Sequence, residues 1–208
     1  MENIIFKYFD LSTNQKQQIL LMKDIYSFWN KKVNLISRKD FPFFYEKHVL
    51  HSLSISKVFQ FKKTTHIMDL GTGGGFPGVP LAIFFPQVQF QLVDSISKKT
   101  RVLNEIIKEL KLKNVVVINK RAEDINDNYD FIVTRAVASL DQLKRWTLGK
   151  ISTNHQHSFK NGLICLKGGD LSFEIKGYKK QVKIFDLDKF FKEDFFSQKK
   201  IVYVVSKK

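Results

Sequence analysis

A run of glycines behind an apolar segment is the first feature of this sequence with the residue types and spacing to do chemistry. In "HIMDLGTGGGFPGVPLAI" the apolar run ends in Asp69. Glycine then follows at alternate positions, as Gly71, Gly73 and Gly75. Because glycine has no β-carbon, the backbone there can adopt positive φ and a ligand can lie against it. Pro77 presets φ for a first helical turn, whose free N–H groups would attract an anionic group.

A second acid indicates what the ligand contains. Asp94 ends the next apolar run, "VQFQLVD", about 20 residues beyond the glycines, where a carboxylate can accept both hydroxyls of a ribose. NAD and S-adenosylmethionine both carry a ribose. A dinucleotide fingerprint needs glycine at its sixth place, which is Phe76 here. The pattern Asp-x-Gly-x-Gly-x-Gly instead resembles motif I of Rossmann-like methyltransferases, and it favours S-adenosylmethionine.

Two further apolar runs end in residues that could complete such a site. Ala122 and Glu123 follow "NVVVIN", where an adenine would lie, and Arg135 ends "YDFIVTR". The Asn/Asp-Pro-Pro-Tyr/Phe motif with which many methyltransferases grip an amino group does not stand there. The sequence therefore favours a ring nitrogen with a free lone pair, such as guanine N7, which needs no general base. Arg135 is our candidate catalytic residue, either donating to guanine O6 or orienting the cofactor.

The elements that must position these residues alternate along the chain. Helical spacing of apolar residues predicts helices over about 14–31, with Ser12 or Thr13 as N-cap, and over 41–61. Strands and helices then alternate, and two strand-like runs close the chain. The pattern predicts an α/β fold of the Rossmann-like class I methyltransferase type: a doubly wound, mostly parallel sheet with an antiparallel edge. Residues 1–61 would form an N-terminal helical appendage and 62–208 a single compact methyltransferase domain.

The composition indicates which kind of partner the protein binds and in which cellular compartment it lies. The net charge of +15 favours a polyanion such as nucleic acid. We expect Lys98, Lys99, Arg101 and Lys167 to contact RNA phosphates. Cys165 is the single cysteine, which excludes an intrachain disulfide and a cysteine-based zinc site, and we expect no bound metal. The sequence shows neither a secretory signal nor a membrane span, so we expect a cytoplasmic protein, and we expect a monomer.

The motifs together are specific enough to name a family. The chain resembles the small-subunit ribosomal RNA methyltransferase G family, also called glucose-inhibited division protein B, over about 34–171. The resemblance depends on "NLISR", "KHVLHSL", "MDLGTGGGFPGVPLAI", "LVDSISKKTRVL", "ELKLKNV", "RAED", "TRAVASL" and "LKGG". It implies methylation of guanine N7 in small-subunit ribosomal RNA or a ribosomal particle, with S-adenosylmethionine as cofactor. It implies a cofactor site at Gly71, Phe76, Ala122, Glu123 and Arg135.

The sequence departs from the family pattern at one position and leaves two rival functions open. Family members usually read His-x-x-Asp-Ser, whereas this chain has His48 and then His51 where the acid would be. One rival is an RNA-binding or ribosome-associated protein that keeps the fold without transferring methyl groups. The other is an NAD(P)-dependent oxidoreductase, against which Phe76 argues.

Overall fold

The sheet is the framework that positions the candidate site. The computed structural model describes residues 3–135, 137–178 and 180–206. In this part of the chain seven strands form one sheet in the order β3-β2-β1-β4-β5-β7-β6. The strands are β1 His66–Leu70, β2 Gln89–Asp94, β3 Val115–Asn119, β4 Phe131–Arg135, β5 Gly162–Gly168, β6 Val182–Asp186 and β7 Lys199–Val205.

The direction of the strands confirms the predicted architecture. Strands β1 to β5 run parallel to one another, whereas β7 pairs antiparallel with both β5 and β6. The antiparallel edge expected from the last two strand-like runs is therefore present. Because β1 to β5 all point the same way, their carboxyl ends meet along one edge of the sheet. That edge carries the residues that the sequence singles out.

Helices cover both faces of the sheet. They are α1 Asn3–Tyr8, α2 Thr13–Asn30, α3 His51–Leu53, α4 Gly78–Phe84, α5 Ser97–Glu109, α6 Leu140–Thr147 and α7 Ser172–Ile175. Ser12 caps α2 through a capping box with Gln15, as the sequence suggests. Helix α4 begins at Gly78, one residue later than Pro77 predicts. None of the helices in the described ranges is long and apolar enough to cross a membrane.

The second predicted helix is irregular, which corrects our expectation of one helix over 41–61. The helical turns end at residue 57. They comprise the 3-10 turn Phe41–Phe43, the π-helix Phe44–Leu50, the single α turn α3, and the 3-10 turn Ser54–Lys57. The hydroxyls of Ser52, Ser54 and Ser56 donate to carbonyls three or four residues earlier. Such bonds compete with the helical backbone pattern and bend it.

The N-terminal helices share a core with the sheet. Successive strand residues project to opposite faces, so Ile67 enters the cluster under α2, α4 and α5, while Met68 enters the cluster under α6. Tyr26 of α2 lies in the same buried cluster as Ile67. The segment up to residue 61 thus packs directly on the sheet. The division into 1–61 and 62–208 stays a prediction.

Candidate functional site

The glycine loop between β1 and α4 turns through conformations that favour glycine. Gly71, Gly73 and Gly75 have φ values of +69°, +56° and +91°. The N–H groups of Gly71 and Thr72 both donate to the carbonyl oxygen of Val93, at 2.9 and 3.0 Å. These two bonds fold the loop back over the end of β2, so the glycines and the second strand meet at one place.

Asp69 supports this loop from beneath. Its side chain is fully buried, and Oδ2 accepts hydrogen bonds from Thr72 Oγ1 at 2.6 Å and from Gly78 N at 2.8 Å. Burial, the largest influence, raises the pKa of Asp69 to about 7. We expected free N–H groups at the start of α4 to face an anion of the ligand. The structure instead gives the Gly78 N–H to Asp69, so it is not free for a ligand.

Asp94 ties the loop to the end of β2. Its Oδ2 accepts from Gly73 N and its Oδ1 from Ile96 N, each at 2.8 Å. A carboxylate oxygen has two acceptor positions, so both oxygens keep the capacity to accept a hydroxyl. The residue predicted to bind a ribose therefore also shapes the glycine loop.

A cavity of about 300 Å³ lies where β1, β2 and β3 end. Four of the predicted cofactor residues line it: Gly71, Asp94, Ala122 and Glu123. Its other lining residues are Leu70, Val93, Ser95, Ile96, Lys120, Arg121, Val137 and Trp146. We call it the β1–β3 cavity. The structure brings together residues that lie on three different strand ends.

Two residues that the sequence reading missed close one side of the β1–β3 cavity. Trp146 of α6 donates from Nε1 to Glu123 Oε1 at 2.7 Å. Val137 packs over Gly71, because a β-carbon on that glycine would lie 2.7 Å from Val137 Cγ2. Helical spacing after Ser139 places Trp146 on a helix but gives no signal for its partner. The neighbouring Ala136 lies outside the described residues.

Arg135 ends β4 beside a histidine and an aromatic ring. Its guanidinium donates to the Lys47 carbonyl at 3.1 Å and contacts His48 Nδ1 at 3.0 Å. It lies 5.0 Å from the centre of the Phe76 ring, within the range of a cation–π contact. Burial lowers the pKa of Arg135 to about 10, so it remains charged at neutral pH.

Arg135 determines the tautomer and the protonation state of His48. A guanidinium can only donate, so His48 Nδ1 accepts and the proton of the neutral ring resides on Nε2. Burial and the charge of Arg135 lower the pKa of His48 to about 3. His48 Nε2 is buried and has no hydrogen-bond partner among the described residues. It is therefore a neutral donor beside a cation.

A second cavity, of about 650 Å³, lies where β4 and β5 end, and we call it the β4–β5 cavity. Arg135 lines it together with two ion pairs, Lys47–Asp40 at 2.9 Å and Lys167–Glu174 at 2.7 Å. The remaining lining residues are His48, His51, Leu166, Gly168, Leu171, Phe195 and Lys199. Lys167 Nζ also donates to the Ala138 carbonyl at 3.1 Å, so this predicted RNA contact is engaged within the chain.

His51, which departs from the family pattern, is buried in the wall of the β4–β5 cavity. Phe195 and Phe196 meet its ring edge to face, with centroids 5.4 and 6.1 Å away. Burial lowers its pKa well below the ordinary value. The position where family members usually carry an acid therefore holds a neutral imidazole packed on two phenylalanines.

Several predicted residues are not part of the lining of either cavity. Asp69, Gly73, Gly75 and Phe76 line neither of them, and Phe76 is buried against Tyr26, Phe44 and His48. On α5, Lys98 and Arg101 are exposed and Lys99 is half-buried. Direct contacts of these residues with cofactor or RNA stay predictions.

The fold defines the class of protein. Its solved structural neighbours include the TYW2 protein of M. jannaschii in complex with AdoMet, with a TM-score of 0.54 and 14% identity over 73% of this chain and 72% of that one. Fibrillarin of Aeropyrum pernix with natively bound S-adenosyl-L-methionine matches with a TM-score of 0.53 and 14% identity over 75% of this chain and 74% of that one. The fold is that of the Rossmann-like class I methyltransferases, as predicted.

Sequence comparison gives the family. The model of the family described as rRNA small subunit methyltransferase G matches residues 15–200. Proteins named ribosomal RNA small subunit methyltransferase G are 52% identical in Phocaeicola vulgatus, over 97% of both chains, and 49% identical in Christiangramia forsetii, over 98% of this chain and 97% of that one. The chain belongs to the rRNA small subunit methyltransferase G family, which confirms the resemblance seen in its motifs.

Proposed function

We propose that this protein transfers the methyl group of S-adenosylmethionine to N7 of a guanine in small-subunit ribosomal RNA. The observation that carries the proposal is the β1–β3 cavity, which gathers Gly71, Asp94, Ala122 and Glu123 in a member of this family. The names of the relatives supply the substrate class, the resemblance of the motifs implies guanine N7 as the acceptor atom, and the chemistry of the neighbouring cavity suits that atom.

The β1–β3 cavity suits the nucleoside part of the cofactor. Gly71 lines the cavity wall with Val137 packed over it, and Asp94 presents a carboxylate for the ribose hydroxyls. Ala122 and Glu123 would lie beside the adenine. Asp69 would act indirectly, by holding the glycine loop in the shape that the cofactor requires. When bound, the cofactor supplies an electrophilic methyl group on a sulfonium.

The β4–β5 cavity suits an acceptor that needs no general base. Its carboxylates are held in ion pairs, Asp40 with Lys47 and Glu174 with Lys167. Lys47 also lowers the pKa of Asp40, and burial lowers that of His48. Guanine N7 fits this arrangement because it attacks with a lone pair and releases no proton. The new carbon–nitrogen bond forms as the carbon–sulfur bond breaks, and the sulfur keeps the bonding electrons.

Arg135 would position the acceptor. It faces the β4–β5 cavity and is held at the end of β4 by the Lys47 carbonyl and His48. Guanine O6 is an acceptor next to N7 on the same base edge, so a guanidinium donor there would recognise guanine and orient N7. Alignment of two reacting atoms supplies much of the rate in such a transfer.

An RNA that lacks the acceptor atom tests the proposal. The purified protein is incubated with S-adenosylmethionine carrying a labelled methyl group and with small-subunit ribosomal RNA, naked or assembled. We expect the label in 7-methylguanosine after digestion and mass spectrometry. A transcript with 7-deazaguanosine in place of guanosine should take up no label, because it lacks N7.

Two results with the purified protein would reject the proposal. One is equal labelling of the deaza transcript, which places the methyl group on another atom. The other is RNA binding without labelling of either substrate, which favours the non-catalytic rival suggested by His51. In cells, an unchanged 7-methylguanosine content of ribosomal RNA in a strain without the gene would also reject it.

A further inference from the structure

A cluster of basic side chains follows the C-terminal end of α2, and the proposed function uses none of them. Lys31, Lys32, Arg38 and Lys39 are all exposed, and we call them the α2 basic surface. None of them forms an ion pair with a carboxylate in the described ranges. Four positive charges within nine residues of chain therefore face solvent without internal compensation, which is a favourable arrangement for a polyanion.

The backbone that carries this surface is held in one conformation. The Asn30 side chain accepts from the N–H groups of Leu35 and Ile36, at 2.8 and 2.9 Å, and donates to the Ile36 carbonyl at 2.9 Å. Ser37 Oγ donates to Asp40 Oδ2 at 2.8 Å. Because the loop is already ordered, the free energy of binding a ligand there is not reduced by the entropy cost of ordering the loop.

The surface is concave and partly aromatic. Two adjoining hollows, of about 450 and 480 Å³, share Asn30, Lys31 and Arg38, and Phe41 with Pro42 forms an apolar wall of the first. The Phe28 ring is half exposed, and Lys32 Nζ lies 4.0 Å from its centre. A positively charged groove with aromatic rings along it is how proteins hold single-stranded nucleic acid, through phosphates and stacked bases.

The surface also adjoins both parts of the candidate site. A β-carbon on Gly74 would lie 3.0 Å from the Leu35 carbonyl oxygen, so the loop packs directly against the glycine loop. At its other end, Asp40 lines the β4–β5 cavity and pairs with Lys47. A strand of RNA that placed one base in that cavity would have its neighbouring phosphates within reach of Arg38 and Lys39.

From this placement we propose that the α2 basic surface binds the phosphates of the ribosomal RNA strand that flanks the methylated guanine. The inference rests on the proposed function for the identity of the RNA. It assigns to the N-terminal segment a part in substrate binding, in addition to the cations of α5 that the sequence suggests. Measurements with naked RNA and with assembled particles distinguish this partner from an acidic protein.

A double substitution with a matched control tests this surface. The test variant, Lys31→Gln with Arg38→Gln, removes two charges from this surface. The control variant, Lys62→Gln with Lys63→Gln, removes two exposed charges just before β1, where the amino ends of the parallel strands lie. Binding to naked small-subunit ribosomal RNA is measured against salt concentration. We expect the first variant to bind more weakly and its salt slope to fall by about 1 for each phosphate that it no longer neutralises. The control should keep the slope of the unaltered protein.

The remaining measurements separate this inference from the proposed function. Affinity for S-adenosylmethionine and kcat at saturating RNA should be unchanged in the Lys31/Arg38 variant, while KM for RNA rises. RNA binding equal to that of the control would overturn the inference, and if methylation of assembled particles alone were then impaired, the partner would be a ribosomal protein. The proposed function fails separately, if the unaltered protein forms no 7-methylguanosine.

Discussion

At the scale of single residues, Arg135 connects the β4–β5 cavity with the aromatic cluster around Phe76. Its two donor groups are held by the Lys47 carbonyl and His48 Nδ1, and its Cζ lies 5.0 Å from the centre of the Phe76 ring. A lysine keeps the charge but offers neither the planar fork nor the two directed donors. We therefore expect the activity to depend on the geometry of the guanidinium and not on its charge alone.

Arg135→Lys is expected to lower kcat/KM for methyl transfer by about 100-fold, because a misplaced positioning group costs this much when alignment limits the rate. Labelled methyl transfer to ribosomal RNA measures it. Arg145→Lys, at an exposed position of α6, is the matched control and should stay near the unaltered rate. If Arg135→Lys were as active as that control, Arg135 would have no positioning role.

We expect the buried Asp69 to make the stability of the protein depend on pH. Its pKa is raised from 3.8 to about 7, so between these values the folded protein holds a proton that the unfolded chain has released. The free energy of unfolding should therefore fall, relative to that of Asp69→Asn, as pH rises through this window, and the difference should be constant below it. Urea unfolding of both proteins at a series of pH values measures the difference.

Asp186, whose pKa is lowered and not raised, provides the control for that experiment. Lys200 lowers the pKa of Asp186, so the unaltered protein should gain stability relative to Asp186→Asn as pH rises through the acid range. A difference for Asp69→Asn that did not change with pH would show that Asp69 has an ordinary pKa, and one that changed in the same direction as the control would show that its pKa is lowered. Either result would contradict the raised pKa.

At the scale of elements, the junction of β1, α4 and β2 leaves no space at the start of α4. A β-carbon on Gly78 would lie 2.2 Å from Leu92 Cδ2 and 2.7 Å from Asp69 Oδ2. Position 78 therefore requires glycine, because the helix packs closely against the strand there. This requirement is separate from that of the glycine loop itself, where positive φ is the constraint.

Gly78→Ala should lower the free energy of unfolding by about 1–3 kcal/mol, the usual cost of overpacking a core, and should weaken cofactor binding by moving Asp69. Chemical denaturation and calorimetric titration with S-adenosylmethionine check the two effects. Gly177→Ala is the control, because a β-carbon there meets no atom within 4 Å, and it should change neither quantity. Equal behaviour of the two variants would contradict the packing argument.

At the scale of the whole molecule, the N-terminal segment supports the glycine loop. Tyr26 of α2 is fully buried, and its hydroxyl donates to the Gly74 carbonyl at 2.7 Å. Leu35, just beyond α2, packs on the same glycine. The helices that precede the sheet in the sequence therefore form one wall of the loop that follows β1.

Tyr26→Phe should reduce stability by about 1 kcal/mol, the usual net value of a hydrogen bond, and should also weaken S-adenosylmethionine binding because Gly74 loses its support. Tyr45→Phe removes a comparable bond, from a buried tyrosine to the Leu20 carbonyl at 3.1 Å, away from the loop. Thermal unfolding should detect both changes, whereas calorimetry with the cofactor should detect the first alone. A normal cofactor affinity in Tyr26→Phe would mean that α2 does not support the site.

Much of the architecture can be predicted from the sequence, because local patterns encode it. Helical spacing and the Ser12 cap identify α2, and the alternation of apolar runs predicts the succession of strands and helices along the chain and the antiparallel edge. The order of the strands within the sheet comes from the structure alone. Helix α1 is too short to give a periodic signal, and the irregular turns over 41–57 depend on serine hydroxyl bonds that spacing alone does not reveal.

The site, like the fold, can be predicted from the sequence only in part. The sequence by itself determined the glycine loop and the acids and arginine at the strand ends, because parallel strands bring their carboxyl ends to one edge. Only the tertiary structure decided that Asp69 lies beneath the loop, that Trp146 meets Glu123, and that Lys167 is paired with Glu174. These contacts join residues from separate elements, and side-chain packing between elements has no period or spacing that a linear reading can detect.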